Sequence, residues 1–124
     1  MFENTKAFSG FAVDDLARAR DFYEGVLGIR VSEDPPDLLT LHLAGGRDTL
    51  VYRKPDFSPA TYTILNFAVN DVEAAVDALS ARGVRFERYD DFGQDEKGIA
   101  RGEGPTIAWF TDPAGNILSV LESS

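Results

Sequence analysis

The sequence predicts an α+β fold built from two tandem βαβββ modules. Three observations carry that reading: a segment that recurs after about half the chain, apolar positions that alternate between strand and helix spacing, and glycines where helices should stop. Phe11-Ala12-Val13-Asp14-Asp15-Leu16-Ala17 is echoed by Phe67-Ala68-Val69-Asn70-Asp71-Val72-Glu73, and the echo continues through Ala19/Ala75 and Asp21/Asp77. It then slips by one residue to align Gly28-Ile29-Arg30-Val31 with Gly83-Val84-Arg85-Phe86, and a looser correspondence pairs Gly46 with Gly115.

Each module reads the same way. Phe8 to Val13 and Ile64 to Val69 alternate apolar and small or polar residues, as half-buried strands do. Asp14 and Asn70 follow as expected helix caps, and Asn70-x-x-Glu73 has the form of a capping box. Leu16, Ala19, Tyr23 and Val26 make one helical stripe; Val72, Ala75 and Leu79 make its counterpart. Gly28 and Gly83 then supply the left-handed residue that ends a helix. The remaining strands of the first module are expected at Ile29 to Ser32, Leu38 to Leu43 and Thr49 to Arg53. Those of the second are expected at Val84 to Glu87, Thr106 to Thr111 and Asn116 to Leu121. The modules span 6–53 and 61–122 within one domain, and Pro55 and Pro59 mark 54–60 as the linker.

Composition narrows the function. The 124 residues are 44% hydrophobic, enough for one core, with no stretch near the roughly 20 apolar residues of a membrane helix. A net charge of −9 works against nucleic acid and anionic membrane as partners, because both reward lysine and arginine. There is no cysteine, hence no disulfide framework, thiolate nucleophile or cysteine zinc site, and no basic-then-apolar N-terminal segment. A cytoplasmic location is the expectation.

Two stretches resemble a known superfamily: Phe11-Ala12-Val13-Asp14-Asp15-Leu16 with Phe22-Tyr23-x-x-Val26-Leu27-Gly28, and Trp109-Phe110-Thr111-Asp112-Pro113-Ala114-Gly115-Asn116. With the duplicated module, they resemble the vicinal-oxygen-chelate superfamily of glyoxalases, extradiol dioxygenases and bleomycin-resistance proteins. The resemblance covers nearly the whole chain. It implies that the two sheets form an open cup, that the protein is a homodimer, and that a divalent metal would sit on the cup face. Carried over, the metal positions are Phe8, Ile64, Ser119 and Leu50. None offers the carboxylate, imidazole or thiolate that a divalent ion needs, so neither a metal nor another cofactor is expected.

Strand alternation assigns the cup lining. If Phe11, Val13, Phe67, Val69, Leu39, Leu41 and Leu43 pack beneath the helices, the opposite face carries Phe8, His42, Ile64 and Asn66, and the Gly46/Gly115 correspondence adds Trp109, Thr111, Leu50, Tyr52, Ser119 and Leu121 to it. Such a surface suits an apolar or aromatic small molecule, including a cationic one stacked on Trp109, and it would serve equally as a second core. His42 is the lone imidazole, so histidine acid–base chemistry must use it. The alternative to a binding protein is therefore a superfamily lyase, isomerase or dioxygenase with nonstandard metal ligands, or a metal-free catalyst using His42 or Tyr52. The long stretch 88–105 carries Asp90, Asp91, Asp95, Glu96 and Glu103 on an expected solvated face. It has the length of a lid, with Phe92 and Ile99 as its apolar contacts.

Overall fold

A computed structural model describes residues 1–34, 36–102 and 104–122, so Glu103 of the acidic stretch lies outside the described residues. Among these, seven strands form two mixed sheets with few helices, an α+β architecture. The chain divides into two compact units, Met1–Ser58 and Pro59–Ser124.

In the first unit, strands β1 (Ser9–Val13), β2 (Arg30–Asp34), β3 (Leu38–His42) and β4 (Thr49–Arg53) form a sheet in the order β1-β4-β3-β2. β1 runs parallel to β4, and the other neighbours are antiparallel. Helix α1 (Leu16–Arg20) connects β1 to the rest. Its continuation, Asp21–Val26, is π-helical, with the Leu27 N–H donating to the Phe22 carbonyl five residues back. The wider turn lets two consecutive aromatics, Phe22 and Tyr23, both enter the core, where an ordinary α-helix would favour one of them. Tyr23 is fully buried, with Phe11 at 5.8 Å and Phe22 at 5.2 Å between ring centroids. Val13, Leu39, Leu41 and Val51 complete that core, each side chain contributing about 1.5–3 kcal/mol by burial.

The second unit has strands β5 (Thr63–Val69), β6 (Ile107–Thr111) and β7 (Ile117–Glu122) in the order β5-β7-β6, with helix α2 (Val72–Ala81) between β5 and β6. Ala108, Phe110, Leu118 and Val120 are buried with Val72 and Val76 of α2. Val76, absent from the expected stripe, belongs to it at the i+4 position from Val72. The helix ends as expected: Gly83 takes φ +90°, Val84 N–H reaches the Leu79 carbonyl and Gly83 N–H the Ser80 carbonyl.

The structure corrects two local expectations. The helix caps are Asp15 and Asp71, not Asp14 and Asn70: each carboxylate accepts the N–H three residues on, from Arg18 and Ala74 at 3.1 Å. The capping box fails with them, because Glu73 turns instead to Lys97 at 2.9 Å. The expected strand Val84 to Glu87 shrinks to a single bridge, Phe86 opposite Phe110, plus the Glu87 N–H donating to the Trp109 carbonyl at 2.8 Å. Further along β6, its free edge is taken by Ala100, which pairs with Ile107. The edge that the first unit gives to one strand is here split between two chain segments, and residues 88–99 make an excursion between them.

Candidate functional site

The excursion is held by two side chains that act as hubs. Gln94 donates to the carbonyls of Glu87 and Gly98 and accepts from the Tyr89 N–H. Asp95 accepts from the N–H groups of Lys97 and Ile99 and pairs with Arg101. The Ile99 N–H, with Arg101 and the Lys97 N–H adding, holds the Asp95 carboxyl below its ordinary range against the opposing effect of burial. Lys97 in turn bridges Glu73 and Asp77 of α2, which push its ammonium above the usual lysine range, Glu73 most. Ile99 is buried.

So anchored, the excursion sets Tyr89 and Phe92 against Trp109. The Trp109 ring centroid lies 5.4 Å from Tyr89, edge-on, and 4.9 Å from Phe92, tilted by 40°. Burial lifts the Tyr89 phenol above its ordinary range, with Glu87 adding to the shift, so it stays a neutral donor. Phe92 is 53% exposed despite its aromatic neighbours. Beside this trio a recess of about 300 Å³ is walled by Thr61, Tyr62, Thr63, Tyr89, Phe92, Trp109 and Ile117. A second recess, of about 630 Å³, shares Phe92 and Trp109 and is bounded also by Asp91, Gly93, Ala100, Arg101, Pro105 and Ile107.

Register relates the other sequence-derived residues of this unit to Trp109. Asn66, Ser119 and Trp109 lie in one cross-strand row; Thr111 pairs with Ile117, and Leu121 pairs with Ile107 and Ala68. Ser119 is fully buried and donates through Oγ to Asn66 Oδ1 at 2.6 Å. With Oδ1 engaged, the exposed Asn66 presents the two hydrogens of Nδ2 as donors. Ile64 departs from the simple alternation. It is the extra residue of a bulge between Thr63 and Leu65, so Thr63 pairs with Ile117, and Thr63, not Ile64, lines the recess.

In the first unit, Leu50 sits in the row Gly10–Leu50–Thr40–Ser32, and Tyr52 in the row Ala12–Tyr52–Leu38–Asp34. His42 lies opposite Arg30 on that same face. Phe8 precedes β1 and is 69% exposed. Tyr62, Thr63 and Tyr89 escaped sequence reasoning. The bulge hid Thr63, and Tyr89 lay in a stretch judged by its charges, although Tyr89-x-x-Phe92 puts two rings within one turn.

The residues present do not suit the divalent metal that the superfamily resemblance implies. Phe8, Leu50 and Ile64 offer only hydrocarbon, and the Ser119 hydroxyl is committed to Asn66. Among the described residues, no three His, Asp or Glu side chains gather as a metal would require.

Among solved structures, the antibiotic binding protein TnmS3 from Streptomyces sp. CB03234 is similar at 23% identity and a TM-score of 0.71, over 98% of each chain. The genomically encoded fosfomycin resistance protein FosX from Listeria monocytogenes matches at 12% identity and a TM-score of 0.74, over 98% of this chain and 94% of that one. A lactoylglutathione lyase from Agrobacterium tumefaciens matches at 20% identity and 0.70, over 98% and 96%. No curated protein sequence matches significantly. The profile of the Glyoxalase/Bleomycin resistance protein/Dioxygenase superfamily matches residues 7–120, and the chain belongs to that superfamily.

Proposed function

We propose that this protein binds a small, largely apolar or aromatic molecule, cationic ones included, through stacking and shape and without a divalent metal. The observation that carries the reading is the Tyr89–Phe92–Trp109 trio, which leaves aromatic surface open beside a recess of about 300 Å³. A volume of that size takes a small ring system, and walls of aromatic groups with a few neutral polar atoms are the usual make-up of such sites. Thr61, Thr63 and the Tyr89 hydroxyl provide orientation without charge, and the ring faces favour a flat or cationic partner. The chain's net charge of −9 tilts the choice toward cations. The likeness to an antibiotic binding protein is one of fold, and it supports this reading only as an instance of the same scaffold used for binding.

A thermal-shift screen of planar aromatic compounds, neutral and cationic, tests the proposal. A binder at 100 times its Kd adds about 2.7 kcal/mol to the native state. The shift should appear for the intact protein and vanish in Trp109→Ala. A screen in which no compound raises the melting temperature, or in which Trp109→Ala responds as fully as the parent, defeats the reading.

A further inference from the structure

At the β2 edge of the first unit's sheet, β2, β3 and the residue just before β4 bring together three side chains that the binding reading does not use: Ser32, His42 and Asp48. The hairpin register pairs Arg30 with His42 and Ser32 with Thr40, which makes Ser32 and His42 diagonal neighbours on one face. Ser32 Oγ lies 2.6 Å from His42 Nε2, and His42 Nδ1 lies 3.1 Å from Asp48 Oδ1. An ionised carboxylate can only accept, so Nδ1 carries the ring hydrogen. In the neutral ring Nε2 is then the acceptor, and the Ser32 hydroxyl must be the donor. Nucleophile, base and orienting carboxylate thus stand in the proton relation of a serine acyl-transfer site. Ser32 is half-buried and the His42 side chain is 20% exposed, so both can be reached from solvent. Leu50 and Tyr52 lie on the same face and offer an apolar and aromatic bed beside the hydroxyl.

We propose that Ser32 is a nucleophile activated by His42, with Asp48 as the positioning residue, and that the site accepts acyl groups from small activated aryl esters. Ser32 Oγ attacks the ester carbonyl carbon as its proton passes to His42 Nε2. The bond to the aryloxy oxygen then breaks, Nε2 returns the proton to that oxygen, and a phenol departs, leaving acyl-Ser32. Water attacks the acyl carbon, gives its proton to Nε2, and the carboxylic acid leaves as Ser32 regains its proton. The three side chains offer no donor for the carbonyl oxygen, because Asp48 only accepts and the His42 Nδ1 hydrogen is engaged by it, which favours esters whose leaving group departs readily.

A fluorophosphonate probe, which phosphonylates activated serines with loss of fluoride, tests this on the intact folded protein. Peptide mapping by mass spectrometry should find one label per chain, on Ser32, and none on Ser32 in the urea-unfolded chain. His42→Asn should slow labelling of Ser32 on the order of 100-fold. Asp48→Asn should slow it less, and Asp48→Glu should recover most of the parent rate, which a merely structural role would not require. Absence of label from Ser32 in the parent protein overturns the proposal without recourse to any variant. An unchanged rate in His42→Asn, with melting curves showing the variant folded, overturns the role of the base. Equal rates in the parent, Asp48→Asn and Asp48→Glu overturn that of the carboxylate.

Discussion

Asp112 does at one position what a longer turn would need several residues to do. Its Oδ1 accepts the N–H groups of Ala114 and Asn116, its Oδ2 accepts the Asn116 side-chain amide, and the residue is 4% exposed. Gly115, at φ +96° and with the Pro59 ring 3.3 Å from where a Cβ would stand, completes a reversal open to few other residues. Asp112→Ala would remove the carboxylate that accepts the Ala114 and Asn116 N–H groups and the Asn116 amide, a loss of about 1–3 kcal/mol to be read from urea denaturation. Ser119→Ala should cost less than about 1 kcal/mol in the same experiment, because the exposed Asn66 can turn to water. Asp-Pro-Ala-Gly-Asn was legible as a turn from its residue types, and Trp109 as the counterpart of the strand residue Thr40 through the Gly46/Gly115 correspondence. What alternation missed was Ile64: one extra residue in β5 changes which side chains share a face, and nothing in Thr63-Ile64-Leu65 announces it.

Elements were legible where local chemistry decides them and illegible where a neighbour does. Strand β4 has the expected bounds, Thr49–Arg53, because apolar alternation and flanking turns fix it. The helix starts were misplaced by one residue because Asp14 and Asp15 are equal candidates on paper; geometry selects the one whose carboxylate reaches the N3 amide. Asp71→Ala should therefore destabilise by about 1 kcal/mol in thermal melts while Asn70→Ala, beside it, changes little. The strand expected at Val84 to Glu87 failed for a tertiary reason: Gln94 captures the Glu87 carbonyl and Ala100 takes the far part of the β6 edge. That excursion should respond to acid. The folded Asp95 carboxyl lies below its unfolded value, so its stabilising effect is complete above about pH 4 and is lost as the pH falls through the folded value. Fluorescence of Trp109, the single tryptophan, should report this loosening in acid, and Asp95→Asn should show the loosened signal already at neutral pH.

Across the whole chain, the duplicated sequence is realised as two units with the same parallel pairing of first and last strands, β1 with β4 and β5 with β7. The superfamily was legible because that duplication and its turn motifs set the fold. The site was less so, because the second unit departs from the repeat where it matters: its divided edge brings Tyr89 and Phe92 to Trp109. Phe8, Leu50, Ile64 and Ser119 carry no ionisable ligand, and on the proposed reading protein prepared without chelators should contain well under one equivalent of iron, manganese, nickel or zinc by elemental analysis. The central claim, that Trp109 and its aromatic neighbours receive a flat ligand, is tested most directly by titrating a compound from the thermal screen while following tryptophan emission. Saturable quenching at one equivalent per chain, with affinity reduced at least tenfold in Phe92→Ala, is the predicted result. Saturable binding by calorimetry that leaves the emission unchanged, and that Phe92→Ala does not weaken, would contradict it.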